Sequence, residues 1–200
     1  MAAAATGEAI RFGAGPFLQG ALVSWHDLFS QAELDALARH CDALVLEQAG
    51  LAGTEQNRIR QTRVAWVLRE PATEAFYRRM EEVVLAMNAR FFRFDLSQLV
   101  TVQYAVYDGG GHFDWHKDYG RAYGEPGQEP RKLTLSLQLS DGADYDGCDL
   151  EVRGGNEIDV APRERGALVA FPANVLHRVT PLTRGVRKSL VIWAAGPEFR

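Results

Sequence analysis

Apolar residues recur at a helical period in the first half of the chain. In the stretch FSQAELDALARHCDALVLEQAG, Leu34, Leu37 and Cys41 stand three or four residues apart, which predicts an amphipathic helix. Ser30, followed three residues later by a glutamate, has the pattern of a capping box at the start of this helix. Gly50 is the residue expected to end it.

A second helix is predicted in EPATEAFYRRMEEVVLAMNARFF, where Pro71 stands near the start and Phe76, Met80 and Val83 share one stripe. The segment TRVAWVLRE, which lies between the two helices, reads as a strand. Arg58, Arg60 and Arg63 precede or begin this strand; they could line a substrate-covering loop, but they are interpreted as solvated charges.

After residue 97 the period changes from helical to extended. Six short β-rich segments separated by turn residues predict a sandwich or barrel, and no helix is predicted after Phe92. They are LVTVQYAVYDGG, KLTLSLQLSDG, CDLEVRGG, GALVAFPAN, HRVTP and RKSLVIWAAG. Apolar residues on both faces of the last segment predict that it is buried on both sides, with Trp193 packed inside the barrel. The pattern predicts an α+β protein whose helices cover one face of the sheets.

Composition and charge narrow the classes of partner. The 200 residues fit one domain, with a formal charge of −4 and no window dense in Lys or Arg, so we expect no nucleic-acid or membrane partner. The apolar runs are too short to cross a bilayer. Cys41 and Cys148 are far apart in sequence, and the first residues lack the pattern of a signal peptide, which predicts a cytoplasmic location. The composition carries no signal for an oligomeric state.

Two His-x-Asp triplets stand side by side in the segment GGGHFDWHKDYG. Residues i and i+2 on a strand share a face roughly 6.5–7 Å apart, so either triplet could hold a metal ion. Two histidines and one carboxylate form the facial triad of non-haem Fe(II) oxygenases. The second histidine must then come from elsewhere, and His26, His40 and His177 are the candidates.

A candidate anion-binding group follows His177. Arg187 is ten residues further on, after a turn that contains Pro181 and Gly185, and a buried guanidinium binds a carboxylate through two hydrogen bonds. Ser189 would share the face of Arg187 and donate to the same carboxylate.

These residues resemble the Fe(II)/2-oxoglutarate dioxygenases of the prolyl 4-hydroxylase and PKHD-type hydroxylase group. The resemblance covers roughly residues 97–196. It rests on a tyrosine, glycines, an aromatic residue and His-x-Asp, and then on a distal histidine and arginine: Tyr107, Gly110, Phe113, His116, Asp118, His177 and Arg187. In the family pattern the ligand histidine is the one at His116, whereas His112 and Asp114 fall where the family carries no ligand.

The resemblance implies a single dioxygenase domain over residues 1–200. Its core would be a double-stranded β-helix, or jelly roll, of residues 97–196, and residues 1–96 would form a helical support region with one or more extra strands. The implied Fe(II) ligands are His116, Asp118 and His177. Arg187, with Tyr107 and Ser189, is implied to bind 2-oxoglutarate. O2 is the implied oxidant, and ascorbate is a candidate reductant.

Three functions are left open by the residues. The first is hydroxylation of a prolyl or other residue of a protein or peptide. The second is hydroxylation of a free amino acid or other small metabolite, and the third is a non-catalytic jelly-roll module that binds a metal or senses a ligand. The chain also departs from the family, since Gln138 stands where some prolyl hydroxylases have a second tyrosine. We expect the loops GLAGTEQNRIRQ and RAYGEPGQEPR to act as lids.

Overall fold

The structure is a computed structural model, and it describes residues 17–19, 21–49, 59–119 and 129–198. Most of the two loops that are expected to act as lids therefore lies outside the described residues. No helix in the described part of the chain is long and apolar enough to cross a membrane.

The described residues form two α-helices and a large set of antiparallel strands. The helices are α1 (Gln31–Asp42) and α2 (Glu74–Met87), and α2 continues into a π-helical turn at Asn88–Phe92. The strands are β1 (Phe17–Gln19), β2 (Leu22–Trp25), β3 (Glu47–Gln48), β4 (Arg60–Gln61), β5 (Arg63–Val67), β6 (Gln98–Tyr107), β7 (His112–His116), β8 (Arg131–Gln138), β9 (Tyr145–Gly147), β10 (Leu150–Gly154), β11 (Glu157–Val160), β12 (Leu168–Pro172), β13 (His177–Val179), β14 (Leu182–Gly185) and β15 (Arg187–Ala195).

The two predicted helices are confirmed, but the first is shorter than expected. The capping box is present, since the Ser30 side chain accepts from the Glu33 amide and the Glu33 carboxylate accepts from the Ser30 amide. The predicted end at Gly50 is wrong, because α1 ends at Asp42. The chain then forms β3, which pairs with β5, and this pairing satisfies backbone groups that a longer helix would have bonded internally. After Phe92 the only helical segment among the described residues is a short 3-10 turn, at Gly142–Asp144.

The strands form two principal sheets with jelly-roll topology. The larger sheet has the order β1-β2-β12-β8-β15-β6-β5-β3, and the smaller has the order β11-β10-β13-β7-β4. A two-stranded ribbon joins β14 to β9. The residues before 97 thus add strands to both sheets as well as the helices, which fits the predicted α+β class.

The central strand β15 has a different environment on each face. Leu190, Ile192 and Ala194 belong to the core that the larger sheet shares with α1 and α2. Arg187 and Trp193 lie on the opposite face and line a cavity between the two sheets. The prediction of burial on both faces is therefore confirmed, and the interior face of β15 carries polar groups.

A tight glycine turn leads into β15. Gly185 has a φ of 78°, and a Cβ built on it would lie 2.0 Å from the carbonyl oxygen of Asp144. Only glycine fits this approach without displacing backbone, because the obstacle is a carbonyl and not a flexible side chain. The turn therefore sets where β15 begins, since Gly185 lies two residues before Arg187, the first residue of the strand.

Replacing Gly185 tests this constraint. We expect Gly185→Ala to lower the free energy of unfolding, measured by urea denaturation, by at least about 2 kcal/mol, because left-handed backbone strain adds to the clash. Gly155→Ala is the matched control, since Gly155 also has a positive φ (65°) but no atom lies within 4 Å of its Cβ position. The control should lose about 1 kcal/mol. Equal losses in both variants would show that the close approach at Gly185 contributes nothing.

Candidate metal centre

A β-bulge in β7 shapes the site. His177 of β13 pairs with His116, and Val179 pairs with Phe113, so three steps along β7 oppose two steps along β13. The extra residue turns Phe113 and His116 to the same side, which regular alternation would not allow. Their rings stack, with centroids 3.4 Å apart and planes inclined by 12°. Trp115 lies outside the cavity, beneath the guanidinium groups of two arginines.

Three potential metal ligands converge beside this bulge. The ligand atoms of His116, Asp118 and His177 all lie within 4.8 Å of one another. Nε2 of His116 is 3.7 Å from Asp118 Oδ1, and Nε2 of His177 is 3.5 Å from Asp118 Oδ2. The expectation that a single strand presents His116 and Asp118 on one face is wrong, because β7 ends at His116. Asp118 reaches the cluster from the segment that follows the strand.

The other candidate ligands lie elsewhere. Nδ1 of His112 contacts the carbonyl of Gly110, and Asp114 accepts a hydrogen bond from the Trp115 amide. Neither His112 nor Asp114 lines the cavity. His40 lies on α1 and faces Glu70 at 3.7 Å. The geometry therefore groups the second His-x-Asp triplet, and not the first, with His177.

Backbone carbonyls orient both imidazoles of the cluster. Nδ1 of His116 lies 2.7 Å from the Asp114 carbonyl oxygen, and Nδ1 of His177 lies 3.0 Å from that of Val175. With Nδ1–H donating to these carbonyls, each Nε2 lone pair is directed toward Asp118 and available to a metal. Burial, together with the nearby charge of His177, lowers the pKa of His116 to about 4. A neutral imidazole is the form that binds a metal.

Two side chains on neighbouring strands hold the Asp118 carboxylate. Its Oδ2 accepts from Thr134 Oγ1 at 2.9 Å and from the Trp193 indole nitrogen at 2.8 Å. Burial raises the pKa of this carboxyl, but the hydrogen bond and charge of His177, with smaller contributions from His116 and Trp193, keep it well below its usual range. Asp118 is therefore an oriented anion, and the donor set fits a facial-triad metal such as Fe(II).

Sequence reasoning missed the roles of Thr134 and Trp193. Trp193 was expected only to pack inside the barrel, and its ring is indeed 5% exposed. Its indole N–H nevertheless orients Asp118. Thr134 pairs with Trp193 across β8 and β15. Strand periodicity places Trp193 on the inner face, but no local signal shows that Asp118 lies opposite it.

A buried cation occupies another part of the same cavity. Arg187 is 4% exposed, and no carboxylate among the described residues forms an ion pair with it. Its Nε donates to Gln138 Oε1 at 3.2 Å, and Gln138 Nε2 donates to the Tyr145 hydroxyl at 2.6 Å. Tyr107 pairs with Arg187 across β6 and β15, and the centroid of its ring lies 5.5 Å from the guanidinium carbon.

Cys148 is buried close to this cation. Burial raises the pKa of its thiol to about 11, although the charge of Arg187 acts in the opposite direction. Cys148 is buried and free, as is Cys41. The protonated thiol therefore serves as a small packing residue beside the guanidinium.

One cavity of about 350 Å³ joins the metal cluster to the buried cation. All six site residues proposed from the sequence line it: His116, Asp118, His177, Arg187, Tyr107 and Ser189. Ser189 is 1% exposed and lies two residues beyond Arg187 on the same face of β15. Arg60 also lines the cavity, so its interpretation as a solvated charge is wrong. The volume suits a small co-substrate and part of a second molecule.

Comparison with known proteins agrees with this geometry. Residues 102–195 match the family model described as the 2OG-Fe(II) oxygenase superfamily. A PKHD-type hydroxylase from a Synechococcus strain is 28% identical over 172 residues, which is 84% of this chain and 75% of that protein.

Two solved structures share the fold. A prolyl-4-hydroxylase from Pseudomonas putida superposes with a TM-score of 0.72 at 23% identity, over 90% of this chain and 94% of the other. A Trichoplax adhaerens prolyl hydroxylase, in complex with a peptide fragment of the hypoxia inducible factor oxygen degradation domain, gives a TM-score of 0.69 at 18% identity, over 88% and 84%. Together with the His-Asp-His cluster, these matches show that residues 102–195 are similar to the 2OG-Fe(II) oxygenase superfamily, whose reactions use Fe(II), 2-oxoglutarate and O2.

Proposed function

We propose that the protein is a hydroxylase in which His116, Asp118 and His177 hold Fe(II) and Arg187 binds 2-oxoglutarate. One observation carries this proposal: three oriented ligand atoms and a buried guanidinium without a described carboxylate partner line the same cavity. A structural cation would be expected to pair with an anion of the protein, because an unpaired buried charge is costly. The missing anion is therefore expected to come from a ligand.

The residues of the chain prepare the site for oxidation. When bound, Fe(II) with 2-oxoglutarate and O2 supplies the chemistry that hydroxylates an unactivated C–H bond. His116 and His177 would each present Nε2 to the metal, because their Nδ1 atoms are held by backbone carbonyls, whereas Asp118 supplies one negative charge in a fixed orientation. Phe113 and Phe171 line the cavity and help to exclude water, which strengthens each electrostatic contact inside it.

At the other end, Arg187 is positioned to bind the distal carboxylate of 2-oxoglutarate. Gln138 holds Nε of the guanidinium, and the Tyr145 hydroxyl holds Gln138, so the fork is fixed in one orientation. A planar guanidinium fixed in this way binds a carboxylate through two parallel hydrogen bonds. The hydroxyls of Tyr107 and Ser189 are the further donors that the proposal assigns to the same carboxylate.

The proposed acceptor is a prolyl or other residue of a protein or peptide. Support comes from the prolyl hydroxylases that share the fold, one of which was solved with a peptide. A free amino acid or small metabolite is the second candidate, since the cavity of about 350 Å³ has room for a small molecule. The match of residues 102–195 to an oxygenase family model argues against a non-catalytic module. The free, buried cysteines support the cytoplasmic location that we include in the proposal.

Paired histidine variants test which triplet binds the metal. His116→Ala should lose bound iron, measured by elemental analysis, and reduce succinate formation from 2-oxoglutarate by about a hundredfold or more, because it removes a ligand. His112→Ala should keep both within about twofold, since its side chain lies outside the cavity. Loss of iron in His112→Ala with retention in His116→Ala would overturn the ligand assignment.

Replacement of the buried arginine tests the co-substrate site. Arg187→Gln should raise the KM for 2-oxoglutarate by about a hundredfold, because a charge-assisted bidentate contact is lost, while iron binding is retained. Arg178→Gln is the matched control, since Arg178 pairs with Glu151 and does not line the cavity. An unchanged KM in Arg187→Gln would require another residue to bind the co-substrate.

A further inference from the structure

Arg60 is a second cation in the cavity that lacks a described anionic partner. It belongs to β4, opposite Phe113 of β7, and its guanidinium carbon lies 4.5 Å from the centroid of the Phe113 ring. The ring of His116 also stacks on that of Phe113. Nη2 of Arg60 donates to Gln103 Oε1 at 3.2 Å, whereas its Nε is buried without a hydrogen-bond partner.

Arginines of similar burial elsewhere in the chain are neutralised. Among the described residues, each half-buried arginine outside the cavity forms an ion pair with a carboxylate. The pairs are Arg79 with Glu33, Arg163 with Asp149, Arg165 with Asp35 and Arg178 with Glu151. Arg60 has no such partner in the described part of the chain, although its Nε is shielded from water. A cation held in this way favours binding of an external anion.

The charge balance of the cavity points in the same direction. Of the described residues that line the cavity, Asp118 is the acidic one, whereas Arg60, Lys117, Arg131 and Arg187 are basic. With Fe(II) bound, the charges of the metal, Asp118, doubly negative 2-oxoglutarate and Arg187 cancel. The charge of Arg60 then remains, and its positive potential attracts an anionic molecule to the space beside the metal.

We propose that the acceptor carries a carboxylate and that Arg60 binds it beside the iron site. This inference rests on the proposed function, because it takes Arg187 and its neighbours to be occupied by 2-oxoglutarate. Gln103 fixes one arm of the guanidinium, and the Phe113 ring supports its face, so the group is held in one orientation for a ligand carboxylate. The carboxylate belongs either to a free small acid or to an acidic group of a peptide.

Matched acid and amide probes test this proposal by binding. The protein is loaded with Mn(II) and 2-oxoglutarate, and the dissociation constants of N-acetyl amino acids are compared with those of their amides. Peptides that contain Glu are compared with the same peptides containing Gln. We expect acids to bind the wild type about tenfold or more tightly than their amides, as a charged hydrogen bond requires. Preference among the free acids or among the peptides identifies the source of the carboxylate.

Two arginine variants show whether Arg60 is responsible. Arg60→Gln should abolish the preference for acids and leave the dissociation constant of 2-oxoglutarate within about twofold of the wild type. Arg63→Gln, which removes the same charge from an exposed neighbour paired with Asp108, should keep the preference. Arg60→Lys should keep part of the preference for acids, because lysine carries the positive charge but lacks the planar guanidinium.

The outcomes separate this inference from the proposed function. Equal binding of acids and amides by loaded wild-type protein, or an acid preference that survives in Arg60→Gln, overturns the role of Arg60. A loss of 2-oxoglutarate affinity in Arg60→Gln as large as in Arg187→Gln also overturns it, because Arg60 would then bind the co-substrate. Failure of the wild type to bind Mn(II) and 2-oxoglutarate would instead overturn the proposed function.

Discussion

The register of β15 is the constraint on which the rest of the site depends. This strand is hydrogen-bonded to β6 on one side and to β8 on the other, so its two faces cannot exchange without breaking both ladders. Its inner face carries Arg187 at one end and Trp193, the donor to Asp118, near the other. A slip of one residue would turn both into the apolar core beneath the helices and expose Leu190 to the cavity. The strand that organises the core thus also sets the spacing between the metal cluster and the co-substrate cation.

Electrostatics inside the cavity are arranged for ligands rather than for stability. The imidazole of His116 is kept neutral by burial, whereas Asp118 is kept ionised by its hydrogen bonds and by the neighbouring histidines. Arg187 and Arg60 are charged and lack described carboxylate partners, although arginines of similar burial elsewhere have them. The unpaired cations lower the stability of the unliganded protein, and the same charges strengthen the binding of an anionic ligand.

Much of the architecture could be predicted because it follows from local patterns. The capping box at Ser30 starts α1, and the stripe of Phe76, Met80 and Val83 packs into the core as the helical period requires. The end of α1 could not be predicted, because β3 forms only where β5 supplies its hydrogen-bond partners. The six proposed site residues share one cavity, yet the strand geometry expected for His116 and Asp118 was wrong. A β-bulge depends on the register of the opposite strand, and that register has no local signature.

The sequence by itself determined the fold class, the two-sided burial of β15 and, through its resemblance to a family, the residues of the candidate site. These depend on periodicity and on fixed spacings along the chain, which are local properties. Only the tertiary structure decided that Trp193 and Thr134 orient Asp118, that Gln138 links Arg187 to Tyr145, and that Arg60 enters the cavity. These contacts join residues far apart in sequence, and their geometry is set by strand pairing and by the bulge in β7. Sequence spacing constrains neither of these, because both depend on which strands become neighbours when the sheets assemble.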